Sequence, residues 1–192
     1  MSKIKQSFED GLNTITTLTG LTQADFDLLR QAAPQALQWG DDIVKMFYDT
    51  LYEHPRTAAV FEDSERPARE QTLAVWYQSL FEVNDVNQFL YNQARIALLH
   101  IRRHVHNEFM VGMANKLRLL FSAKAVEAFG PEEGLNVSNA FSRVLDTVVG
   151  LTAEGYDVLS KSALSRATGV QETVIDKFII RAVDEVEQEL LG

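Results

Sequence analysis

Apolar residues recur at intervals of three and four along almost the whole chain, and no window shows the period-two alternation of a half-buried strand. That spacing predicts an all-α protein. An opening helix covers about 2–18 and ends near Gly20. Thr22 stands where the cap of a second helix belongs, with Phe26, Leu29 and Ala33 on its buried face. Pro34 suits the first turn of a third helix, because its missing N–H is not needed there. That helix runs to about Tyr52 on a stripe of Leu37, Ile43, Phe47 and Leu51. His54-Pro55 stops it, since the residue before a proline disfavours the helical basin.

A short turn over 56–61 leads to a helix of about 65–82 that carries Leu73, Trp76, Leu80 and Phe81. Asn84 or Asp85 caps the next, from about 86 to 103, and Asn107 caps a long one over 108–129. Phe129-Gly130-Pro131 is a hard break. A helix of about 132–160 follows, weakened by Gly134, Gly150 and Gly155, and Gly169 separates a last helix over 170–191. The last helix gathers Val170, Val174, Ile175, Phe178, Ile179, Val183, Val186 and Leu190 on one face, at a spacing closer to 3.6 than to a 3.5 heptad. Such a stripe requires cover: its own domain, a partner, or the rest of a longer chain. The expected division is a domain over 1–160 and a C-terminal helix over 161–192 that acts as a linker or a dimer cap.

Composition narrows the class. The 192 residues are 46% apolar and 23% charged, an ordinary globular balance. Eighteen Lys and Arg against twenty-seven Asp and Glu leave a net charge of −9, which argues against nucleic acid and against an anionic membrane surface as partners. The absence of cysteine removes disulfides, zinc-thiolate sites, iron–sulfur clusters and thiolate haem ligation, and fits a reducing cytosol. No apolar run reaches membrane-spanning length, and the N-terminus lacks the apolar core of a signal peptide. A cytoplasmic protein is expected. No phosphate loop, nucleophile elbow, zincin pair or calcium loop occurs, so conventional enzyme chemistry has little footing.

Histidine is the exception. Three of the four lie in Leu99-His100-Ile101-Arg102-Arg103-His104-Val105-His106. His100 and His104 are one helical turn apart and able to share a face, but a zinc site would still lack a third ligand and the zincin glutamate. Ile96, Leu99 and His100 follow Phe89 on one stripe, which puts this imidazole at the apolar edge of a helix near its end. There it must be hydrogen-bonded, exposed or ligating. Tyr48, beside Phe47, is the second candidate. A buried tyrosine needs a partner for its hydroxyl, and a ligand in a pocket would serve, as would water at a helix boundary.

Taken in order, these landmarks resemble the sensor globins, meaning the protoglobins and the haem domains of globin-coupled sensors, over about residues 20–160. Phe47-Tyr48-Asp49 precedes His54-Pro55; Phe61 follows; Trp76 stands before Leu80-Phe81; His100-Ile101-Arg102 is similar to the family's His-x-Arg; then come Asn107-Glu108-Phe109-Met110 and Leu117. The resemblance implies a globin fold with an extra N-terminal helix and a C-terminal helix, its helices packed pairwise around haem b. It implies His100 as the proximal iron ligand and Tyr48 as the distal hydroxyl facing dioxygen or another diatomic gas. Phe47, Leu73, Trp76, Leu99 and Met113 would wall the pocket. It further implies a homodimer through the helices 108–129 and 132–160, with Ala140, Gly150 and Ala153 permitting close approach. The signal would pass to an output such as a diguanylate cyclase or a chemotaxis transducer, although no output module is visible before Gly192. The expected function is a non-enzymatic haem-based gas sensor. The alternatives are a haem-free globin-like signalling domain and a haem-globin enzyme. Two positions depart from the family pattern. Arg103-His104 replaces the usual Ile-Gly after His-x-Arg, which is expected to lengthen the proximal helix or to make His104 a rival ligand. Arg69 or Glu70 falls where an apolar distal residue is usual.

Overall fold

The computed structural model describes residues 3–62 and 64–191, with the backbone alone for residues 3–5 and 184; Ser2, where the opening helix was expected to begin, lies outside them. Among the described residues every regular element is helical: α1 (Lys3–Thr19), α2 (Gln23–Ala36), a 3-10 turn (Leu37–Trp39), α3 (Gly40–Glu53), α4 (Pro55–Ala58), α5 (Arg66–Ser79), α6 (Val86–Arg102), α7 (Asn107–Phe129), α8 (Pro131–Thr168) and α9 (Glu172–Leu191). None of these helices is long and apolar enough to cross a membrane.

The caps explain several boundaries. The Asp25 carboxylate accepts from the Thr22 N–H at 2.8 Å and from its hydroxyl at 3.1 Å, and so fixes the entry to α2. Asp85 accepts from the N–H groups of Asn87 and Gln88 at 2.9 and 3.3 Å and opens α6. Asn107 is not the cap of α7: it is already helical, and extended His106 precedes it. Pro34 does not open a helix either. It sits inside the last turn of α2, where it leaves the bond to the carbonyl one turn back unmade. The chain then tightens into the 3-10 turn before α3 begins at Gly40.

Helices α7 and α8 form the spine, and α1, α2 and α6 all pack on α8. The main core lies at that junction. Phe121 and Phe141 stack at 3.9 Å and 12°, both fully buried, in a core that also holds Phe26, Leu29, Tyr77, Val144 and Leu151. The glycines of α8 do not weaken it. A Cβ at Gly134 would meet the Ala125 carbonyl oxygen at 2.5 Å, so glycine is what lets α8 lie against α7 just after the hairpin. A Cβ at Gly150 would strike Ile15 of α1. Helix α8 therefore continues without a break to Thr168, past residue 160. Two of the three small residues expected at a dimer contact are used internally instead: Ala140 is fully buried in the chain's own core and Gly150 faces α1, while Ala153 is half-buried.

Candidate functional site

Of the candidate residues, Phe47 and Tyr48 stand on α3, Leu73 and Trp76 on α5, Leu99 and His100 on α6 and Met113 on α7. Helix α5 packs chiefly on α3, whereas α6 packs chiefly on α8. They are tied to each other at two points. The Trp76 indole N–H donates to Oε1 of buried Gln93 at 3.0 Å. At the other end Arg103 reaches Glu65 with two bonds, Nη2 to Oε1 at 2.7 Å and Nη1 to Oε2 at 3.0 Å. Residue 65 pairs with 103 and 76 with 93, so the two helices run antiparallel. Eleven residues separate the ties along α5, about 16 Å of helix. Leu73 and Arg69 lie in that interval on α5, and Ile96, Leu99 and His100 lie in it on α6.

In this interval and on α3 beside it, polar atoms are buried without partners. Nδ1 of His100, Nε of Arg69 and the Tyr52 hydroxyl have no hydrogen bond. Burial pushes the His100 pKa below its ordinary value, partly offset by the Ile96 carbonyl one turn back, so this imidazole is held neutral. A neutral histidine with a lone pair to offer is the form that binds a metal. The end of α6 is pinned from behind: the Tyr156 hydroxyl of α8 lies 2.5 Å from the Val105 carbonyl oxygen and 3.2 Å from that of His100.

Tyr48 anchors the opposite wall. It is 6% exposed and forms a small buried cluster with Leu51 and Met113, against which Phe47, Phe61 and Leu73 pack. Its hydroxyl donates to the Arg69 carbonyl oxygen at 2.8 Å, and burial, more than any neighbouring charge, raises its pKa to about 12. Tyr52, one turn on, stacks on Phe61 at 5.2 Å and lies under the Arg66 guanidinium. The Glu65 carboxyl, held first by Arg103 and also by the Glu62 N–H, has its pKa lowered to about 2.

The structure thus brings Phe47, Tyr48, Leu73 and Met113 into one cluster. Trp76 packs against the main core and reaches across to α6 through Gln93. Leu99 stands elsewhere: it is 55% exposed and lines an outer groove of α6. Helix α6 is not lengthened by His104. It ends at Arg102, and His104 adopts φ of 55° with its side chain in solvent, the left-handed backbone that glycine takes at least cost. His100 and His104 do not share a face, and no His/Asp/Glu cluster of metal-binding form occurs among the described residues. Glu65, Gln93 and Tyr156 escaped the sequence reading, and Arg69 and Arg103 entered it only as departures from the family pattern, without the contacts they make.

Comparison with known proteins now decides the family. The sequence matches the Protoglobin family over residues 8–158. The chain belongs to the protoglobin family. Among solved structures it is similar to the globin domain of the Geobacter sulfurreducens globin-coupled sensor, at a TM-score of 0.67 and 24% identity over 75% of this chain and 96% of that one. At that identity the likeness establishes the globin fold. No curated protein matches the chain. The protoglobin match closes near the end of α8, so α9 lies wholly beyond it.

Proposed function

We propose that this protoglobin domain is a haem-based gas sensor, with haem b between α5 and α6 and His100 as its axial ligand. The observation that carries the reading is the half-buried, neutral imidazole of His100, whose buried Nδ1 has no hydrogen-bond partner, set between the two ties that join the helices and nearer the Glu65–Arg103 one. The donor set fits a haem: one imidazole, an apolar wall of Phe47, Leu73 and Met113, and the Tyr48 hydroxyl opposite. Trp76 borders the same interval, and Leu99 belongs to its outer rim. Bound haem would supply an iron that takes dioxygen or another diatomic gas. The chain's own part is to hold a ring nitrogen ready, to exclude water with the Tyr48 cluster, and to offer one hydroxyl proton. Arg69 and Tyr52 add two further donors at the same wall.

Output is proposed to run through α6 into α8, because Tyr156 grips the end of α6. A dimer through α7 and α8 would use Val111, Leu119 and Val126 of α7 with Leu135 of α8, all at least 39% exposed. An effector such as a diguanylate cyclase or a chemotaxis transducer, in the cytoplasm, would receive the signal.

A second reading, a haem-free globin-like signalling domain, is favoured by one observation. The Tyr48 cluster is filled by its own side chains, and the grooves by Gly130 and along α6 lie open at the surface. Haemin titration separates the two. The sensor reading expects a stoichiometric Soret band that His100→Ala abolishes and His104→Ala leaves in place. No band in a folded wild-type protein sinks it and leaves the haem-free reading.

A further inference from the structure

Helix α9 presents an apolar face with nothing on it. Ile175 is 3% exposed and Asp176 is tied to Lys161 at 3.1 Å, which fixes the start of the helix against α8. From Lys177 onward every described side chain is exposed, including Ile179, Val183, Val186 and Leu190 at 48–79%. At 100° per residue these four form one seam about 16 Å long. Glu185 and Glu189 flank it on one side and Glu187 on the other, while Lys177 and Arg181 fall on the back. The helix carries six acidic residues against two basic ones. Two α9 helices paired along this seam would set acidic flanks side by side, which disfavours a simple coiled coil.

The complementary surface is on α6. Asn92, Arg95, Ile96, Leu98, Leu99 and Arg102 line an open groove with an apolar floor. Leu98 and Leu99 are 44% and 55% exposed, unusual for a leucine pair on a packed helix. Arg95 and Arg102, seven residues apart and both exposed, border it with no ion pair among the described residues. The eleven residues from Asn92 to Arg102 span about 15 Å, close to the length of the α9 seam. An apolar helix face with acidic flanks thus has its counterpart on the same chain in an apolar groove with an arginine toward each end, the arrangement of helix-in-groove recognition.

We propose that α9 docks its Ile179–Val183–Val186–Leu190 face into the Leu98/Leu99 groove of α6 on a second copy of the chain, and that the exchange is reciprocal. The Ile175 and Lys161 contacts seat only the start of α9 on its own α8 and leave the seam from Ile179 onward uncovered, so the second copy supplies the groove. The contact covers the helix that bears His100, one residue from it, but it stands whether or not haem is bound there. Reciprocal docking satisfies two-fold symmetry without an unpaired surface.

The chain has no cysteine, so introduced thiols report cleanly. A Val186→Cys protein is mixed with a Leu98→Cys protein under mild oxidation. Both positions are exposed, and circular dichroism checks the fold. The expected product is a mixed disulfide between copies, formed faster than with a Gln31→Cys control on α2. Adding Arg95→Glu and Arg102→Glu to the Leu98→Cys chain slows its formation about tenfold. The proposal fails if the folded proteins give no mixed product above the control. It fails equally if Val186→Cys pairs only with itself, or if the bond forms only inside one chain that carries both substitutions, independent of concentration.

Discussion

Removing one oxygen atom from Tyr48 tests how the candidate site is held. Its hydroxyl donates to the Arg69 carbonyl at 2.8 Å, and the residue is 6% exposed. The net worth of such a bond is about 1 kcal/mol, since water would otherwise solvate both partners. Tyr48→Phe in the haem-free protein should therefore cost about 1 kcal/mol. For a chain of this size that lowers the thermal midpoint by about 2–4 °C. Because burial raises the pKa to about 12, the hydroxyl keeps its proton, and the loss should be constant from pH 6 to 9. Tyr52→Phe is the matched control. The Tyr52 hydroxyl is buried without a partner, so its removal relieves a desolvated group and should leave stability unchanged or raise it. Urea unfolding of both variants gives the answer as midpoint shifts at constant m. Equal losses, or none at Tyr48, would refute the hydrogen-bond assignment. The same bond bounds any effect on gas binding. One proton cannot serve two acceptors, so a ligand must displace the Arg69 carbonyl and keeps only the surplus. Gas dissociation from Tyr48→Phe should quicken by less than about tenfold.

Three further outcomes follow from the same geometry. Phe121→Ala empties one half of a fully buried stack and should cost about 3–5 kcal/mol, read by denaturant unfolding; a loss under 1 kcal/mol would mean the core is not built on that pair. His100 has a depressed folded pKa, so the unfolded chain takes up the proton first. The stability it contributes is complete above about pH 6.5 and is lost as pH falls toward the lower folded value. The thermal midpoint of the haem-free protein should fall more steeply from pH 7.5 to 5.5 than that of His100→Leu, and parallel curves would contradict the burial. His104→Gly relieves a left-handed backbone at a solvent-exposed turn and should gain about 0.5 kcal/mol net of the added chain entropy, a rise of 1–2 °C in the thermal midpoint. A fall on that substitution would mean the His104 side chain makes a contact of its own.

Helix content and order were legible because apolar spacing reports directly on which face is buried, and the caps at Thr22 and Asp85 are local chemistry. Tyr48 and Met113 were readable as neighbours through the family pattern, and they share one cluster. Leu99 illustrates what periodicity leaves open. Ile96, Leu99 and His100 form one stripe, but α6 turns Gln93 and Ala97 inward, so the stripe sits at the margin of the buried arc and Leu99 falls outside it. The glycines of α8 were misread for a similar reason. Propensity counts a glycine as a weak point in its own helix, whereas Gly134 and Gly150 are set by the helix that lies across them. The Glu65–Arg103 and Trp76–Gln93 ties join residues 38 and 17 positions apart, and nothing local announces either.

Those two ties also bear on whether the helices can part to admit a flat cofactor. They differ in kind. Trp76–Gln93 is partly buried and neutral, and Gln93 would be left with an unsatisfied buried amide if it broke, so it should act as the fixed end. Glu65–Arg103 is solvent-facing at the Arg103 side, and an exposed ion pair contributes little to stability even when it depresses a carboxyl pKa. Opening is thus cheapest at the Glu65 end, and a hinge about Trp76 would part α5 from α6 most widely near Arg69 and His100. The unpartnered atoms collect at that end: His100 Nδ1, Arg69 Nε and the Tyr52 hydroxyl gain solvent or a ligand as the gap widens, which offsets part of the cost of exposing the Tyr48 cluster. High salt, which weakens the exposed pair and leaves the neutral one intact, should therefore speed haemin uptake by the folded protein. Uptake that slows with salt, or that Arg103→Gln leaves unchanged, would place the opening at the Trp76 end instead.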